Sequence, residues 1–146
     1  MKHILHLLRI LTISCTSLLL SLLTGVASGQ NADPTQSTIA VSSTSVSTDV
    51  GSVTVTVQAE DQYGNLLTSG GETVVIASNA GTVSGVTDVG NGTYTATVTN
   101  TTAQQATISA TLDGNTVGPG GADDPTVTFT PGAADATQST IAVSST

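Results

Sequence analysis

Basic residues are nearly missing from this sequence, and their absence excludes more than any motif reveals. The 146 residues carry Lys2 and Arg9 as the only cations, with His3 and His6 as the only histidines. Beyond Arg9 there is no Lys, Arg or His, whereas all ten acids fall between Asp33 and Asp135. A polyanion without a cation cannot neutralise phosphates, so nucleic acid and anionic membrane surfaces are excluded as partners. The same gap excludes a Ser-His-Asp or Cys-His site, a Lys Schiff base and an Arg or Lys clamp. Cys15 is the lone cysteine, so no disulfide staples the fold. Past the first residues no imidazole or thiolate remains for zinc or copper. Tryptophan is absent and the aromatics are Tyr63, Tyr94 and Phe129, too few to wall a carboxylate-based active site. No catalytic, cofactor-binding or metal-ligating residue is expected.

What is present begins with an export leader. Residues 1–29 read as a helical signal peptide: Lys2 and Arg9 give a positive start, Ile10 to Val26 is apolar, and Ala27-Ser28-Gly29 offers a small-residue exit. An uncleaved anchor is the alternative reading, since the apolar run is nearly long enough to span a bilayer. Lipidation of Cys15 is set aside because Leu18-Leu19-Leu20-Ser21-Leu22-Leu23 continues the apolar core after it. The expected product is a secreted or cell-surface protein with no membrane insertion after leader cleavage.

The next feature is a repeat. Thr35-Gln36-Ser37-Thr38-Ile39-Ala40-Val41-Ser42-Ser43-Thr44 returns at Thr137–Thr146, 102 residues later (137 minus 35). That period is too long for a solenoid unit and fits a tandem array of whole domains. The expected organisation is a linker at 30–36, one domain at 37–131, and at 132–146 a linker with the truncated first strand of a second repeat. The expectation is that the sequence is part of a longer tandem-repeat protein. A lone opening strand cannot offset its ordering entropy of about 1–2 kcal/mol per residue, so the trailing segment is expected to be disordered.

Within the repeat the period is two. Val53, Val55, Val57 and Ala59 alternate with Thr54, Thr56, Gln58 and Glu60, and Tyr94, Ala96 and Val98 alternate with threonines. Ile108, Ala110 and Leu112 do the same, as do Val127 and Phe129. Such alternation predicts strands with one buried and one wet face in antiparallel sheets. Threonine on the wet face favours the strand through its β-branch. Thr38–Val41, Thr73–Ser78 and Thr82–Val86 are shorter candidates. Seven strands in roughly 100 residues predict an all-β, Ig-like antiparallel sandwich. Asp61-Gln62-Tyr63-Gly64-Asn65, Asp88-Val89-Gly90-Asn91-Gly92 and Asp113-Gly114-Asn115 supply the turns, and Gly118–Pro125 the longest loop.

The mature stretch from Thr35 to Pro131 resembles the bacterial Ig-like repeats of the invasin/intimin type. The resemblance rests on Asp61, Gly64 and Asn65 after the long strand, then Thr87-Asp88 with Gly92-Thr93-Tyr94-Thr95-Ala96. Ser37-Thr38-Ile39 and Val127-Thr128-Phe129 open and close the same frame. The resemblance implies a non-catalytic spacer or stalk of a surface adhesin, whose partners are neighbouring Ig-like repeats. It also implies a host or matrix ligand contacted through a region outside this sequence. Membrane-inserted relatives place an outer-membrane barrel before their repeats, whereas here the leader precedes the repeat directly. The alternative is a spacer or carbohydrate-contacting module of an exported hydrolase.

Other candidate sites have plainer readings. Glu60, Asp61 and Asp123-Asp124 suggest calcium, which takes oxygen ligands, but no Asp-x-Asp-x-Asp-Gly loop exists and a solvated acidic surface explains them. Tyr94 shares the inward phase of Ala96 and Val98 and is expected in the core. Tyr63, in a turn, is expected to pack over the sandwich end, with ligand contact as the alternative. Asn91-Gly92-Thr93 and Asn100-Thr101-Thr102 match the glycosylation pattern without further support. Lys–Asn cross-links are excluded by the missing lysine.

Overall fold

Apolar residues alternating with threonine, valines in one and Tyr94, Ala96 and Val98 in the other, build the two long strands at the centre of one sheet. The computed structural model describes residues 31–48, 51–119, 124–134, 137 and 139–142. The chain divides after Asn31, and the sandwich belongs to the unit Ala32–Thr146. The expected leader lies outside the described residues. In chain order the strands are β1 (Thr38–Val41), β2 (Ser45–Ser47), β3 (Ser52–Gln58), β4 (Val74–Ser78) and β5 (Thr82–Val83). Then come β6 (Thr87–Asp88), β7 (Thr93–Thr99), β8 (Gln104–Leu112), β9 (Asn115–Thr116) and β10 (Thr126–Thr130). One sheet runs β1-β3-β7-β5 with β6 also on β7, and the other runs β2-β10-β8-β4 with β9 on β8.

The register explains the alternation. In the β3–β7 ladder Val53 faces Val98, Val55 faces Ala96 and Val57 faces Tyr94, all buried. On the other side of the same ladder Thr54 faces Thr97 and Thr56 faces Thr95, pairs that stabilise a wet sheet surface. The second sheet contributes Ala106, Ile108, Ala110 and Leu112 from β8 and Val127 and Phe129 from β10. Tyr94 and Phe129 are the largest buried side chains. A valine or phenylalanine buried this fully contributes about 1.5–3 kcal/mol, so a valine-rich core with two aromatics suffices without disulfides.

Three local features depart from the sequence reading. First, the sandwich is not wholly antiparallel: β2 pairs with β10 in parallel. The chain keeps its direction through β1 and β2 while switching sheets at Ser42–Thr44. Ser42 Oγ accepts the Thr54 N–H and Ser43 Oγ accepts the Ser45 N–H, so hydroxyls satisfy the backbone where the ladder breaks. Second, the expected strand Thr82–Val86 is a strand only at β5, Thr82–Val83, and a further piece, β6, follows it at Thr87–Asp88, both on β7. Between them Ser84 Oγ accepts the Thr97 N–H in place of a carbonyl. Third, residues 32–36, expected as linker, are fastened to the sandwich. Ala32 is buried and bridges to Asp61, Asp33 N–H donates to the Glu60 carbonyl, and Gly118 N–H donates to the Pro34 carbonyl.

The topology fixes two ends. Ala32, the β3–β4 loop, the β6–β7 hairpin and the β8–β9 hairpin share one end. Thr48, Gly51, the Asn100–Ala103 turn and the exit of β10 share the other. Beyond β10, residues 131–134 and 139–142 lie outside every strand, and Ile141 is 93% exposed where its counterpart Ile39 is 8% exposed.

Candidate functional site

Acids scattered along the sequence converge at the end where the chain enters the sandwich. Asp33 precedes β1, Glu60 and Asp61 follow β3, Glu72 precedes β4, Asp88 ends β6 and Asp113 follows β8. Among the described residues only Asp124, in the loop entering β10, lies elsewhere. Asp49, Asp123 and Asp135 are outside the described residues.

Most of these carboxylates accept hydrogen bonds from backbone N–H groups. Asp61 Oδ1 accepts from Tyr63 N–H and Asn65 N–H, each at 2.9 Å, and both its oxygens accept from Asn65 Nδ2. Gly64 closes this loop at φ +76°, a conformation open to glycine. Asp88 Oδ1 accepts from Gly90 N–H at 2.8 Å, and its Oδ2 reaches across to Gly71 N–H at 3.0 Å. Asp113 Oδ1 accepts from Thr73 N–H, and Asp33 Oδ1 from both Thr35 N–H and Thr35 Oγ1. Each acid thereby supplies the acceptor a turn would otherwise need.

The electrostatics follow from these contacts. The Asn65 side chain, then its N–H, holds the Asp61 carboxyl below its ordinary pKa. The Thr35 hydroxyl and N–H do the same for Asp33. Burial raises the pKa of the Tyr94 phenol, with Asp88 and Glu72 adding to the rise. As expected, Tyr94 is core, and its Oη also accepts the Glu72 N–H at 2.9 Å. Tyr63 corrects the expectation: it is 79% exposed and does not pack over the sandwich end. Leu66, in the same loop, and Val89, in the β6–β7 hairpin, are also more than half exposed.

Glu60 and Asp61 are neighbours in sequence, yet the Asp61 oxygens are engaged by its own loop. Among the described residues no group of three or more His, Cys, Asp or Glu could hold a metal. Of the two acceptor positions, Asn91 is exposed and its Oδ1 accepts Thr93 N–H, whereas Asn100 is buried. Sequence reasoning placed the Asp61 and Asp88 turns. It missed the Asp88–Gly71 and Asp113–Thr73 bonds, which join residues 17 and 40 positions apart.

Two facing sheets with their strands in this order define an Ig-like sandwich domain. The family description "Invasin, domain 3" matches residues 33–132, and the chain belongs to that invasin Ig-like family. Among solved structures it is similar to the Yersinia pseudotuberculosis adhesin InvE, at 27% identity and TM-score 0.57, covering 71% of this chain and 29% of that one. It is similar to invasin, described as a bacterial integrin-binding protein, at 29% identity and TM-score 0.56, covering 69% and 20%. Similarity to Y. pseudotuberculosis InvD reaches 30% identity and TM-score 0.58, covering 73% and 30%. The chain therefore spans less than a third of each relative's length. No curated protein matches it. These relatives are adhesins of several domains, and this chain carries the fold of one such domain.

Proposed function

We propose that this domain is a non-catalytic spacer in the stalk of an exported bacterial surface adhesin. One observation carries the reading. The chain enters at one end of the sandwich and leaves at the other, and the opening sequence of the domain returns directly after the exit. An arrangement of this kind converts repeat number into reach, with each copy adding roughly 25–40 Å by strand length plus loops. Membership of the invasin family and the adhesin relatives support the surface location. Use of the acids as turn acceptors supports a structural role for them. Its partners in the chain are the adjoining copies, while ligand contact belongs to a region outside this sequence.

The test is a length series of the full-length protein on the bacterial surface. Removing or adding one copy is expected to change the distance between cell and bound surface by one domain length. Ligand affinity of the detached binding region stays constant. Loss of ligand binding on removal of this copy alone would reject a pure spacer role.

A further inference from the structure

We infer that Asn91, in the β6–β7 hairpin, is a modification site at which the chain deamidates itself through a cyclic imide, leaving aspartate or isoaspartate. The inference goes beyond the spacer reading and does not depend on it.

The hairpin places an electrophile beside a nucleophile. Asn91 is exposed, and Gly90 and Gly92 flank it. Its Oδ1 accepts the Thr93 N–H at 3.1 Å, a bond that draws electron density from Cγ and stabilises negative charge arriving on that oxygen. Among the described residues its Nδ2 donates to no acceptor, so nothing restrains the leaving group. The Gly92 N–H is likewise unbonded among them, the hairpin closing instead through Val89 N–H on the Thr93 carbonyl. Gly92 brings no Cβ to crowd a ring closing on its nitrogen. Gly90 has open space around it, since a Cβ built there meets nothing within 4 Å.

The atoms balance with water as the co-reactant. Solvent base removes the Gly92 amide proton, and the nitrogen attacks Asn91 Cγ. A Cγ–N bond forms, the Cγ–Nδ2 bond breaks, and the amide nitrogen leaves as ammonia after taking a proton from water. Water then opens the imide. Attack at Cγ restores the main chain and gives aspartate. Attack at the main-chain carbonyl carbon of residue 91 routes the chain through the side chain and gives isoaspartate.

The other asparagines of the sandwich each lack one of these conditions. Asn65 Nδ2 is held by both Asp61 oxygens, and Asn115 Nδ2 donates to the Asp113 carbonyl. Asn79 Oδ1 accepts the Thr107 N–H, but the N–H that follows it, of Ala80, is bonded to Ser78 Oγ. Asn100 is buried. None of them is followed by glycine.

The two products differ in consequence. Aspartate accepts the Thr93 N–H as Asn91 does, and as Asp61 and Asp88 accept in their own turns. Isoaspartate adds a backbone methylene immediately before Gly92, whose carbonyl accepts Ala59 N–H at 2.8 Å and Gln58 Nε2 at 3.2 Å. The hairpin cannot lengthen there without shifting these bonds.

The test ages the purified full-length protein in mildly alkaline buffer and maps its peptides by mass. The peptide carrying Asn91 is expected to gain the mass difference between carboxyl and carboxamide roughly tenfold faster than the peptide carrying Asn79, which has no glycine after it. An isoaspartate-specific methyltransferase is expected to label the aged Asn91 peptide. Asn91→Gln, whose longer side chain disfavours the ring, is expected to abolish the gain. Asn91→Asp is expected to melt with the parent, and the aged protein below both. Gain at Asn79 as fast as at Asn91, persistence of the gain in Asn91→Gln, or aspartate formed without isoaspartate would overturn the inference. None of these outcomes bears on reach across the copies, so the spacer reading stands or falls separately.

Discussion

The two ends of the sandwich are built differently from the same few residue types. At the acidic end, side chains make the turns: Asp33, Asp61, Asp88 and Asp113 each accept backbone N–H groups, and Tyr94 reaches up from the core to accept another. At the polar end the side-chain acceptor is neutral, Asn100 Oδ1 taking the Thr102 N–H, beside backbone bonds from Thr48 N–H to the Thr130 carbonyl and Gly51 N–H to the Ser47 carbonyl. The difference teaches that an acidic residue in a loop is not evidence of a ligand. Among the described residues the charge gathers where long loops need acceptors, and that gathering is a by-product of building turns.

The largest effect that would sharpen this contrast lies at Gly92. It sits at φ +81°, and an added Cβ would meet the Leu67 carbonyl and lie 2.8 Å from Leu67 Cβ. Gly92→Ala is expected to destabilise by about 2 kcal/mol or more, seen as a lower urea midpoint with an unchanged slope. Gly85, which has open space around it, is the control, with Gly85→Ala expected within about 0.5 kcal/mol of the parent.

A smaller loss is expected for Tyr94→Phe, which keeps the ring in the core and leaves Glu72 N–H without its acceptor. About 1 kcal/mol is expected by denaturant titration, and no change would show that the phenol is spare.

Acid titration probes the same end. The folded pKa values of Asp33 and Asp61 lie below the ordinary aspartate value. Their contribution is then complete above the unfolded pKa and is lost as pH falls through the lower folded values. The melting temperature is expected to fall in that acid window, and the double variant Asp33→Ala, Asp61→Ala to start lower and show a shallower fall. An identical acid limb in parent and variant would break the assignment.

The smallest effect is expected at the other end, where Gln104→Ala at the exposed start of β8 should stay within about 0.5 kcal/mol. A loss as large as that of Tyr94→Phe would mean that Gln104 joins Asn100 in holding the polar end.

Much of the fold was legible because burial on one sheet face imposes a period of two. Val53, Val55 and Val57 announced β3, and Tyr94, Ala96 and Val98 announced β7, including the inward phase of the tyrosine. Short elements were not legible. Ser45–Ser47 carries a single apolar residue, and β9 is Asn115-Thr116. Both exist because neighbouring strands offer a ladder, a tertiary influence that local propensity does not contain. The Asp61 turn was visible in its Asp, Gly and Asn, whereas nothing local marks Asp88 as the partner of Gly71. Tyr63 was misplaced because a turn aromatic carries no phase to say whether it folds back.

Two segments of identical sequence mark the division most clearly. Thr38–Val41 is a strand because β3 stands beside it, with Ile39 opposite Val57. The same residues at 140–142 have no strand partner among the described residues, and Ile141 is exposed. Sequence by itself determined which residues could be strands and which face of each would be apolar. These are properties of side chains and of the two-residue pleat. Only the tertiary structure decided which strands share a sheet, where β2 crosses between sheets, and that six acids distant in sequence meet at one end. Those outcomes depend on long-range register, which no local run of residues encodes.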